Sequence, residues 1–332
     1  MTDGGVGELV DRGDLDELLR RVDDYCDGGQ WQALLELRDT CRAAFERGRQ
    51  LWPAASHAEY RLALQAPGRW AAAVVAPGAG RFALGPLSEV AASTHSWDEL
   101  APHLPPTPEA ALVAQERVIK GEDLRADGRV DHMLVELPLV LADAEPTYPT
   151  AVYKPYTAEF AGAGGPPAWE AVDVREGAER VADGDADADA DAERALLDVV
   201  GAWTTQSNGA AAAVTVVGDA AAAIGALGVG GTVRVAEIGL AEALAEAAWA
   251  GASGGAHGRR RGMAQGRFGA WWAVGALAGA LDEWPDVLPA AARLRWYRWE
   301  RPEPATGWSF RLAAERPSDG RAFAVEATDR RS

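Results

Sequence analysis

The spacing of apolar residues predicts that the chain begins with helices. Five apolar residues recur at helical intervals and form one stripe: Leu15, Leu18, Leu19, Val22 and Cys26. Asp14, followed three residues later by Glu17, resembles a helix-capping pair, and Gly28 with Gly29 ends the helix. A second amphipathic stretch starts at about Gln30, so the two helices are predicted to form an antiparallel hairpin.

Proline positions and capping residues predict further short helices up to residue 121. Pro53 suits the first turn of a helix over 54–66. Thr107-Pro108-Glu109 supplies a cap, a first-turn proline and an early acid for another helix. Since this stretch shows no fixed repeat period, we predict an irregular helical domain over residues 1–125 rather than a repeat array.

Short apolar runs follow, and each contains a proline. Residues 134–141 and 152–156 have this pattern, which is typical of edge strands or extended segments. Residues 183–191 alternate aspartate with alanine, which predicts a solvated linker. We therefore assign residues 126–191 to extended segments and an acidic linker.

Helical and strand-like runs alternate in the last third of the chain. Helices are predicted over 192–203, 240–251 and 268–281, and strands over 213–217, 232–238, 294–299, 308–313 and 322–328. Asp319-Gly320 is typical of a hairpin turn, and no crossover helices separate the last three strands. The predicted fold class is α+β: an N-terminal irregular helical domain, followed by a C-terminal mixed α/β domain with a mostly antiparallel sheet over 192–332.

Charge and composition narrow the classes of function. The net charge of −18 repels phosphate backbones, so nucleic acid is an unfavourable partner. Cys26 and Cys41 fall on predicted apolar helix faces and are typical of reduced thiols. Residues 1–8 lack the pattern of a secretory signal, and the apolar block 269–281 is too short to cross a membrane. We expect a cytoplasmic protein with no membrane segment.

The most unusual stretch is the glycine- and arginine-rich segment 253–268. It gathers one histidine and four arginines between two apolar helices: His257, Arg259, Arg260, Arg261 and Arg267. Guanidinium groups, backbone N–H groups and a helix start together suit an anion such as phosphate or carboxylate. The alternative is a solvated loop that pairs with the acidic middle of the chain.

Two catalytic interpretations use the same region. The run from Gly251 to Gly255 matches the pattern around a hydrolase nucleophile, but a helix precedes it and His257 is the only later histidine. A glycine-rich helix end explains the run as well. In the second interpretation, His257 with Glu237 or Glu242 moves protons on a phosphorylated or carboxylated small molecule held by the arginines.

Metal and cofactor motifs are missing from the sequence. His95, Asp98 and His103 lack the second ligand pair of a zinc site. The aspartates of 185–191 alternate as in a calcium loop, but Ala190 stands where that loop needs glycine. The glycine- and arginine-rich segment also lacks the signatures of a phosphate-binding loop and of a dinucleotide fold. We predict no metal and no cofactor.

Tryptophans concentrate near the end of the chain, at Trp271-Trp272, Trp296, Trp299 and Trp308. With arginines beside them, they suit a ligand ring or a partner peptide, or else the core between a helix and a sheet. Core packing is the favoured alternative.

The block from Trp249 to Trp272, WAGASGGAHGRRRGMAQGRFGAWW, resembles a block in a family of uncharacterised high-GC bacterial proteins. In that family a helix is followed by a Gly/Ala/Arg loop and a tryptophan-containing helix. Its members end in tryptophan-rich strands with a tail like Ala327-Thr328-Asp329. The resemblance covers the last hundred residues, with Arg259 to Arg261 where small and polar residues are expected, and it implies no activity.

Together these features favour a non-enzymatic binding or interaction protein. The helical domain is expected to offer a surface to a protein partner, and the C-terminal domain to hold a small anionic ligand at the glycine- and arginine-rich segment. The alternative is the enzyme described above, and the sequence leaves open whether the protein is one.

Overall fold

The structure is a computed structural model that describes residues 5–165, 167–177, 186–303 and 306–330. The chain forms two compact units: Met1–Val140 with Ala151–Phe160, and Leu141–Thr150 with Ala161–Ser332. The segment predicted over 126–191 is thus divided between the two units. The domain limits drawn from the sequence stay a prediction.

The first unit is helical apart from one small hairpin. Its α-helices are α1 Val6–Arg12, α2 Leu15–Asp27, α3 Trp31–Glu46, α4 Trp52–Gln65, α5 Gly68–Ala72, α6 Leu87–Thr94, α7 Trp97–Leu100 and α8 Pro108–Ile119, with a 3₁₀ helix at Ala101–His103. Strands β1 Ala151–Tyr153 and β2 Ala158–Phe160 pair antiparallel. The predicted irregular helical domain is therefore confirmed.

The predicted start signals explain where several of these helices begin. At the start of α2, Asp14 Oδ1 accepts a hydrogen bond from the Glu17 N–H at 3.2 Å. At the start of α8, Thr107 Oγ1 accepts one from the Ala110 N–H at 3.4 Å. Pro53 lies in the first turn of α4. Caps and prolines are favoured there because the first N–H groups of a helix have no partner within it.

Helix α4 forms the centre of the first unit. Its residues from Ala54 to Leu64 are buried apart from His57, and α2, α3 and α6 pack around it. A helix enclosed on all sides must also bury its polar residues, which then need partners. Glu59 and Arg61 are such residues, at 1% and 3% exposure.

The second unit combines helices with a six-stranded sheet. Its α-helices are α9 Ala186–Val199, α10 Gly201–Thr205, α11 Ala220–Ala226, α12 Leu240–Ala252, α13 Met263–Ala278 and α14 Leu288–Ala291, with a 3₁₀ helix at Leu281–Glu283. The strands are β3 Glu170–Val174, β4 Ala210–Val217, β5 Gly231–Ile238, β6 Arg295–Glu300, β7 Trp308–Arg316 and β8 Arg321–Asp329. Their order is β3-β5-β6-β7-β8-β4 with antiparallel pairing throughout. The predicted α+β class with an antiparallel sheet is confirmed.

The turn between β7 and β8 follows the predicted hairpin signal. Arg316 pairs with Arg321 across the turn, and Gly320 has a φ of +68°. That left-handed conformation favours glycine because it crowds a Cβ atom. The Asp319 carboxylate accepts hydrogen bonds from both Arg316 and Arg321, and these hold the pKa of Asp319 at about 2 even though burial raises it.

Helices cover parts of both faces of the sheet. On one face α11 packs on valines and aromatic residues that include Val233, Tyr297 and Trp299. The alternate residues point to the other face, where Arg298 on β6 forms an ion pair of 2.8 Å with Glu246 on α12. Trp296 and Trp299 are buried at 2% and 0% exposure, so both fill the core.

One segment differs from the sequence-based prediction. Residues 134–141 form no strand, which leaves the extended segment as the prediction there. Helix α9 begins at Ala186, inside the tract predicted as a linker, because alanine favours helix and acids suit a first turn. Asp189 in this helix is buried and pairs with Arg321 at 2.7 Å. The earlier part of the tract, 183–185, lies outside the described residues.

The cysteines and the apolar helices agree with the sequence analysis. Cys26 and Cys41 are buried and unbridged, and burial raises the pKa of each thiol to about 11. Neither thiol ionises near neutral pH, so both are weak nucleophiles. Within the described ranges, no helix combines the length and the apolar character that crossing a bilayer requires.

Candidate functional site

The glycine- and arginine-rich segment connects α12 to α13, and its serine is buried. Ser253 donates a hydrogen bond to the Ala250 carbonyl at 3.1 Å and accepts one from Trp203 Nε1 at 2.8 Å. Neither partner is a base that can take the proton of a nucleophile. Ser253 therefore ties the end of α12 to a buried tryptophan.

The last residue of β8 anchors this segment. The Asp329 carboxylate is 1% exposed and accepts a hydrogen bond from the Ala256 N–H at 2.5 Å. Gly255 has a φ of +76°, and a Cβ atom there would overlap the Asp329 carboxylate. The His257 N–H donates to Ser207 Oγ at 3.0 Å. Backbone contacts thus fix the first half of the segment.

Arg267, unlike the other predicted ligand residues, is buried within the core of the second unit. It is fully buried and forms two hydrogen bonds with Glu145, of 2.7 and 2.8 Å. Glu145 also accepts from Trp271 Nε1 at 2.9 Å and from the Tyr148 hydroxyl at 2.8 Å. Burial raises the pKa of Glu145, but these hydrogen bonds and the charge of Arg267 outweigh it and hold the pKa below its usual value. Arg267 is thus engaged by a carboxylate of the same chain.

The other four predicted ligand residues lie on the loop before α13. His257 and Arg259 are exposed, and Arg260 and Arg261 are half-buried. Burial lowers the pKa of Arg261, and the charge of Asp198 partly offsets this effect. Anion binding by these four residues stays a prediction.

The two predicted acids have other contacts. Glu242 is exposed and accepts from the Gly239 N–H at 2.9 Å, which caps α12. Glu237 is exposed and lies 3.4 Å from Arg295. Glu237 also alternates with Val235 on β5, so it belongs to the sheet face under α11, whereas Asp329 belongs to the opposite face. A proton-transfer role for either acid with His257 stays a prediction.

A second candidate site lies in the first unit, where α4 meets two loops. The cleft has a volume of about 200 Å³ and is lined by Pro53, Ser56, His57, Tyr60, Phe82, Ala83, Leu84, Pro155 and Tyr156. We call it the His57 cleft. Its walls are mostly apolar and aromatic, which is typical of ligand pockets.

Buried polar contacts position the loop that carries Phe82. The Gly80 N–H donates to Glu59 Oε2 at 2.6 Å, and Arg42 Nε lies 2.6 Å from Glu59 Oε1. Gly80 has a φ of +64°, and a Cβ atom there would meet Leu87. The loop is therefore fixed to α4 by a carboxylate that is itself buried and charge-compensated.

Tyrosine hydroxyls hold the β1–β2 hairpin on the other side of the cleft. Tyr60 donates to the Lys154 carbonyl at 2.5 Å, and Tyr153 donates to Glu89 Oε2 at 2.6 Å. Gly85 lies directly against the Tyr153 hydroxyl, where a Cβ atom would overlap it. Burial raises the pKa of Tyr60 to about 12, so its hydroxyl stays protonated and keeps donating.

The polar side of the cleft is formed by His57 with an ion pair behind it. Arg61 forms an ion pair with Asp23, and His57 Nε2 lies 3.9 Å from Asp23 Oδ1. The Tyr156 ring stacks on His57 at a centroid distance of 5.5 Å, with the Arg61 guanidinium 5.5 Å from the same ring. Burial lowers the pKa of His57, and Arg61 lowers it further against the opposing effect of Asp23. His57 is therefore neutral at pH 7.

The rim of the cleft exposes apolar groups to solvent. Tyr156 is 63% exposed, Phe82 50% and Leu84 40%. Phe82 also lies against Trp52, with ring centroids 3.4 Å apart and the ring planes tilted by 30°. Three exposed apolar side chains around one concavity mark a binding surface more strongly than scattered ones.

The sequence of this chain matches the Family of unknown function (DUF6183) over residues 16–331. The chain belongs to this family. No curated protein and no solved structure matches the chain.

Membership of the DUF6183 family confirms the predicted resemblance to an uncharacterised family. The match extends well beyond the last hundred residues to which the resemblance was assigned. Both the glycine- and arginine-rich segment and the His57 cleft lie inside the matched range.

The described part of this DUF6183 protein contains no group of three or more His, Cys, Asp or Glu side chains that could hold a metal ion. His95, considered above as a zinc ligand, is buried with its ring nitrogens 2.7 Å from the Ala66 carbonyl and 3.0 Å from the Ala91 carbonyl. These contacts give His95 a structural role.

The apolar spacing of the sequence does not predict the His57 cleft. His57 belongs to a helix that was predicted correctly, but its neighbours in space are about 25 and 100 residues away along the chain. The local signals were apolar residues in a glycine-rich loop at 82–84 and a tyrosine directly after Pro155. Nothing in the apolar spacing brings those two loops together.

Proposed function

We propose that this DUF6183 protein is a binding protein whose first unit takes an uncharged aromatic group into the His57 cleft. One observation carries the proposal: the cleft is apolar, has about 200 Å³ of space and is rimmed by exposed Phe82, Leu84 and Tyr156. A cavity of about 150 Å³ lined by apolar side chains accepts benzene, so a single ring fits here. Neutral His57 adds one hydrogen-bonding group that favours a phenol or an indole over an ion.

The polar geometry of the cleft supports binding rather than catalysis. Ser56 and His57 are consecutive on α4, so their side chains diverge. The 3.9 Å between His57 and Asp23 exceeds hydrogen-bond distance, and Asp23 is engaged by Arg61. A nucleophile activated by a base needs both of these contacts to be close.

Nuclear magnetic resonance of the imidazole and methyl groups tests the proposal with phenol and indole as probes. We expect either probe to shift the His57 ring signals and the Ala83 methyl signal. Ala83→Trp fills the cleft and should abolish the shift of the His57 ring signals, which can still be observed in that variant. Phe45→Ser, which removes an apolar side chain 58% exposed and outside the lining, is the matched control and should keep both the His57 and the Ala83 shifts. Absence of shifts at millimolar probe, or shifts that persist in Ala83→Trp, would refute the proposal.

A second candidate, anion binding by the glycine- and arginine-rich segment, is favoured by Arg261. This side chain is half-buried, burial lowers its pKa, and the described residues give it no ion pair. A cation in that setting gains from a bound carboxylate or phosphate. Thermal shift with inorganic phosphate and citrate should show stabilisation of the wild type that is lost in Arg261→Met and kept in Arg194→Met. Equal stabilisation of all three proteins would remove this candidate.

A further inference from the structure

Three aromatic rings meet at the surface of the second unit. Phe268 and Trp272 lie one turn apart on α13, and Trp284 follows the 3₁₀ helix. The ring centroids are 6.5 Å apart for Phe268 and Trp272, 5.7 Å for Phe268 and Trp284, and 5.5 Å for Trp272 and Trp284. We call these residues the aromatic cluster. Trp272 is 37% exposed, so the cluster opens to solvent, while its neighbour Trp271 is buried.

The turn that carries Trp284 is acidic. Asp282, Glu283 and Asp286 are all exposed. Backbone hydrogen bonds fold the turn tightly, from the Trp284 N–H to the Leu281 carbonyl at 3.2 Å and from the Asp286 N–H to the Glu283 carbonyl at 2.7 Å. Over the ranges that the structure describes, none of these three carboxylates forms an ion pair. Three carboxylates without an ion pair therefore lie within two residues of Trp284 in the chain.

Aromatic rings beside unpaired carboxylates attract one class of ligand in particular. The ring faces carry partial negative charge, and a cation within about 6 Å of a ring centroid is attracted to it. Phe268 and Trp272 are nearly parallel, with 12° between their planes, and Trp284 stands at 67° and 62° to them, so the three rings lie close enough together to contact one cation on the solvent side of the cluster. A trimethylammonium group also buries its methyl groups against the rings, whereas a strongly hydrated ammonium or metal ion keeps its water.

We infer that the aromatic cluster and its acidic turn bind an organic cation that carries a trimethylammonium group. The group can come from a free small molecule or from a methylated lysine side chain, and the chemistry of recognition is the same. This site belongs to the second unit, whereas the His57 cleft belongs to the first.

Titration followed through the indole N–H signals of Trp272 and Trp284 tests the inference with four probes. Choline and a short alanine peptide containing trimethyl-lysine should both shift these signals. The unmethylated peptide and 3,3-dimethylbutan-1-ol, the neutral isostere of choline, should bind at least about five-fold more weakly. Tighter binding of the methylated peptide than of choline would indicate a protein source, and the reverse a free small molecule.

Variants distinguish a cation site from a merely apolar surface. Trp272→Ala, at an exposed position, should weaken choline binding about five-fold or more. The combined Asp282→Asn and Glu283→Gln variant keeps the rings and should weaken choline but not the neutral isostere. Phe82→Ala removes an exposed ring from the first unit and should leave choline binding unchanged, so this result is independent of the His57 cleft. The inference fails if the isostere binds as well as choline, if Trp272→Ala binds normally, or if no probe shifts the signals at tens of millimolar.

Discussion

At the residue scale, Arg267 is buried, whereas the arginines at 259–261 are exposed or half-buried. All four belong to one charge-rich segment of sequence, and only Arg267 lies inside the helix that follows it. Glu145, 122 residues earlier, accepts two hydrogen bonds from Arg267. Trp271 and Tyr148 donate further hydrogen bonds to the same carboxylate. A buried guanidinium is tolerated only with such complete pairing.

The Arg267–Glu145 pair should therefore be sensitive to loss of one partner. We expect Arg267→Met to lower the free energy of unfolding by about 3–5 kcal/mol, because Glu145 is left buried and unpaired. Adding Glu145→Leu should recover part of that loss. Urea unfolding at pH 7 measures both, with Arg194→Met, at an exposed ion pair, as a control expected to change stability by less than about 0.5 kcal/mol. A loss as small as that of the control would show that the pair contributes little.

The contribution of the same pair to the stability of the protein depends on pH. The pKa of Glu145 in the folded protein lies below its usual value, so its stabilising contribution is present above the unfolded pKa. That contribution declines as the pH falls through the folded pKa. The stability difference between wild type and Glu145→Gln should shrink on acidification over this range.

At the element scale, the segment between α12 and α13 is held by the end of β8. The Asp329 carboxylate and the Ala256 N–H join residues 73 apart in the chain. The loop conformation therefore depends on the sheet being complete, since β8 is the strand between β7 and β4.

Removing this anchor should loosen the segment without unfolding the sheet. In Asp329→Ala the Ala256 N–H loses its acceptor, and we expect faster amide hydrogen exchange at Ala256 with a stability loss of about 1–3 kcal/mol. Exchange in β7 and β8 should change far less than at Ala256. Asp219→Ala, which removes only the cap of α11, is the matched control and should leave Ala256 protected. Unchanged exchange at Ala256 in Asp329→Ala would contradict the anchoring role.

Most elements could be predicted from sequence because their signals are local. The stripe in α2, the cap at Thr107 and the turn at Asp319-Gly320 each depend on residues within a few positions. The predicted helix over 268–281 instead begins at Met263, since its glycines and Arg267 hide the apolar pattern. Strand β3 was missed because its exposed residues carry little of the alternation typical of a strand.

The candidate sites were harder to predict because they depend on contacts between distant elements. The cleft beside His57 is formed by Tyr156, 99 residues later, and by a loop that Glu59 holds in place. In the aromatic cluster, the one-turn spacing of Phe268 and Trp272 is visible in the sequence, but the return of Trp284 to the same helix face is not. Apolar spacing predicts which face of a helix is buried, not which loop crosses it.

At the scale of the whole molecule, the pH dependence of stability is the sum of contributions from groups whose pKa values shift in opposite directions on folding. The pKa of His57 is lowered in the folded protein by burial and by Arg61, so its contribution to stability is lost as the pH falls below the usual histidine range. Glu246 has the opposite shift. Burial raises its pKa to about 7 from 4.5, Arg298 opposes that effect, and Glu242 and Glu300 add to it.

Glu246 should therefore make the protein less stable as the pH rises through neutrality. Its contribution is fully present below pH 4.5 and is lost as the pH rises through about 7, because the folded state holds the proton more tightly than the unfolded one. At roughly 1.4 kcal/mol per pKa unit, the effect is on the order of 3 kcal/mol. Glu246→Gln stays neutral and can keep a hydrogen bond to Arg298. It should match the wild type near pH 4.5 and exceed its stability at pH 8.

Urea unfolding from pH 4.5 to pH 8 separates this effect from the others. Glu237→Gln, at an exposed glutamate near Arg295, is the control and should run parallel to the wild type throughout. In Glu246→Gln the remaining slope should come from groups such as His57 and Glu145, so its stability should only fall on acidification. A constant difference between wild type and Glu246→Gln across this range would mean that Arg298, 2.8 Å away, keeps Glu246 ionised and that burial does not dominate its pKa.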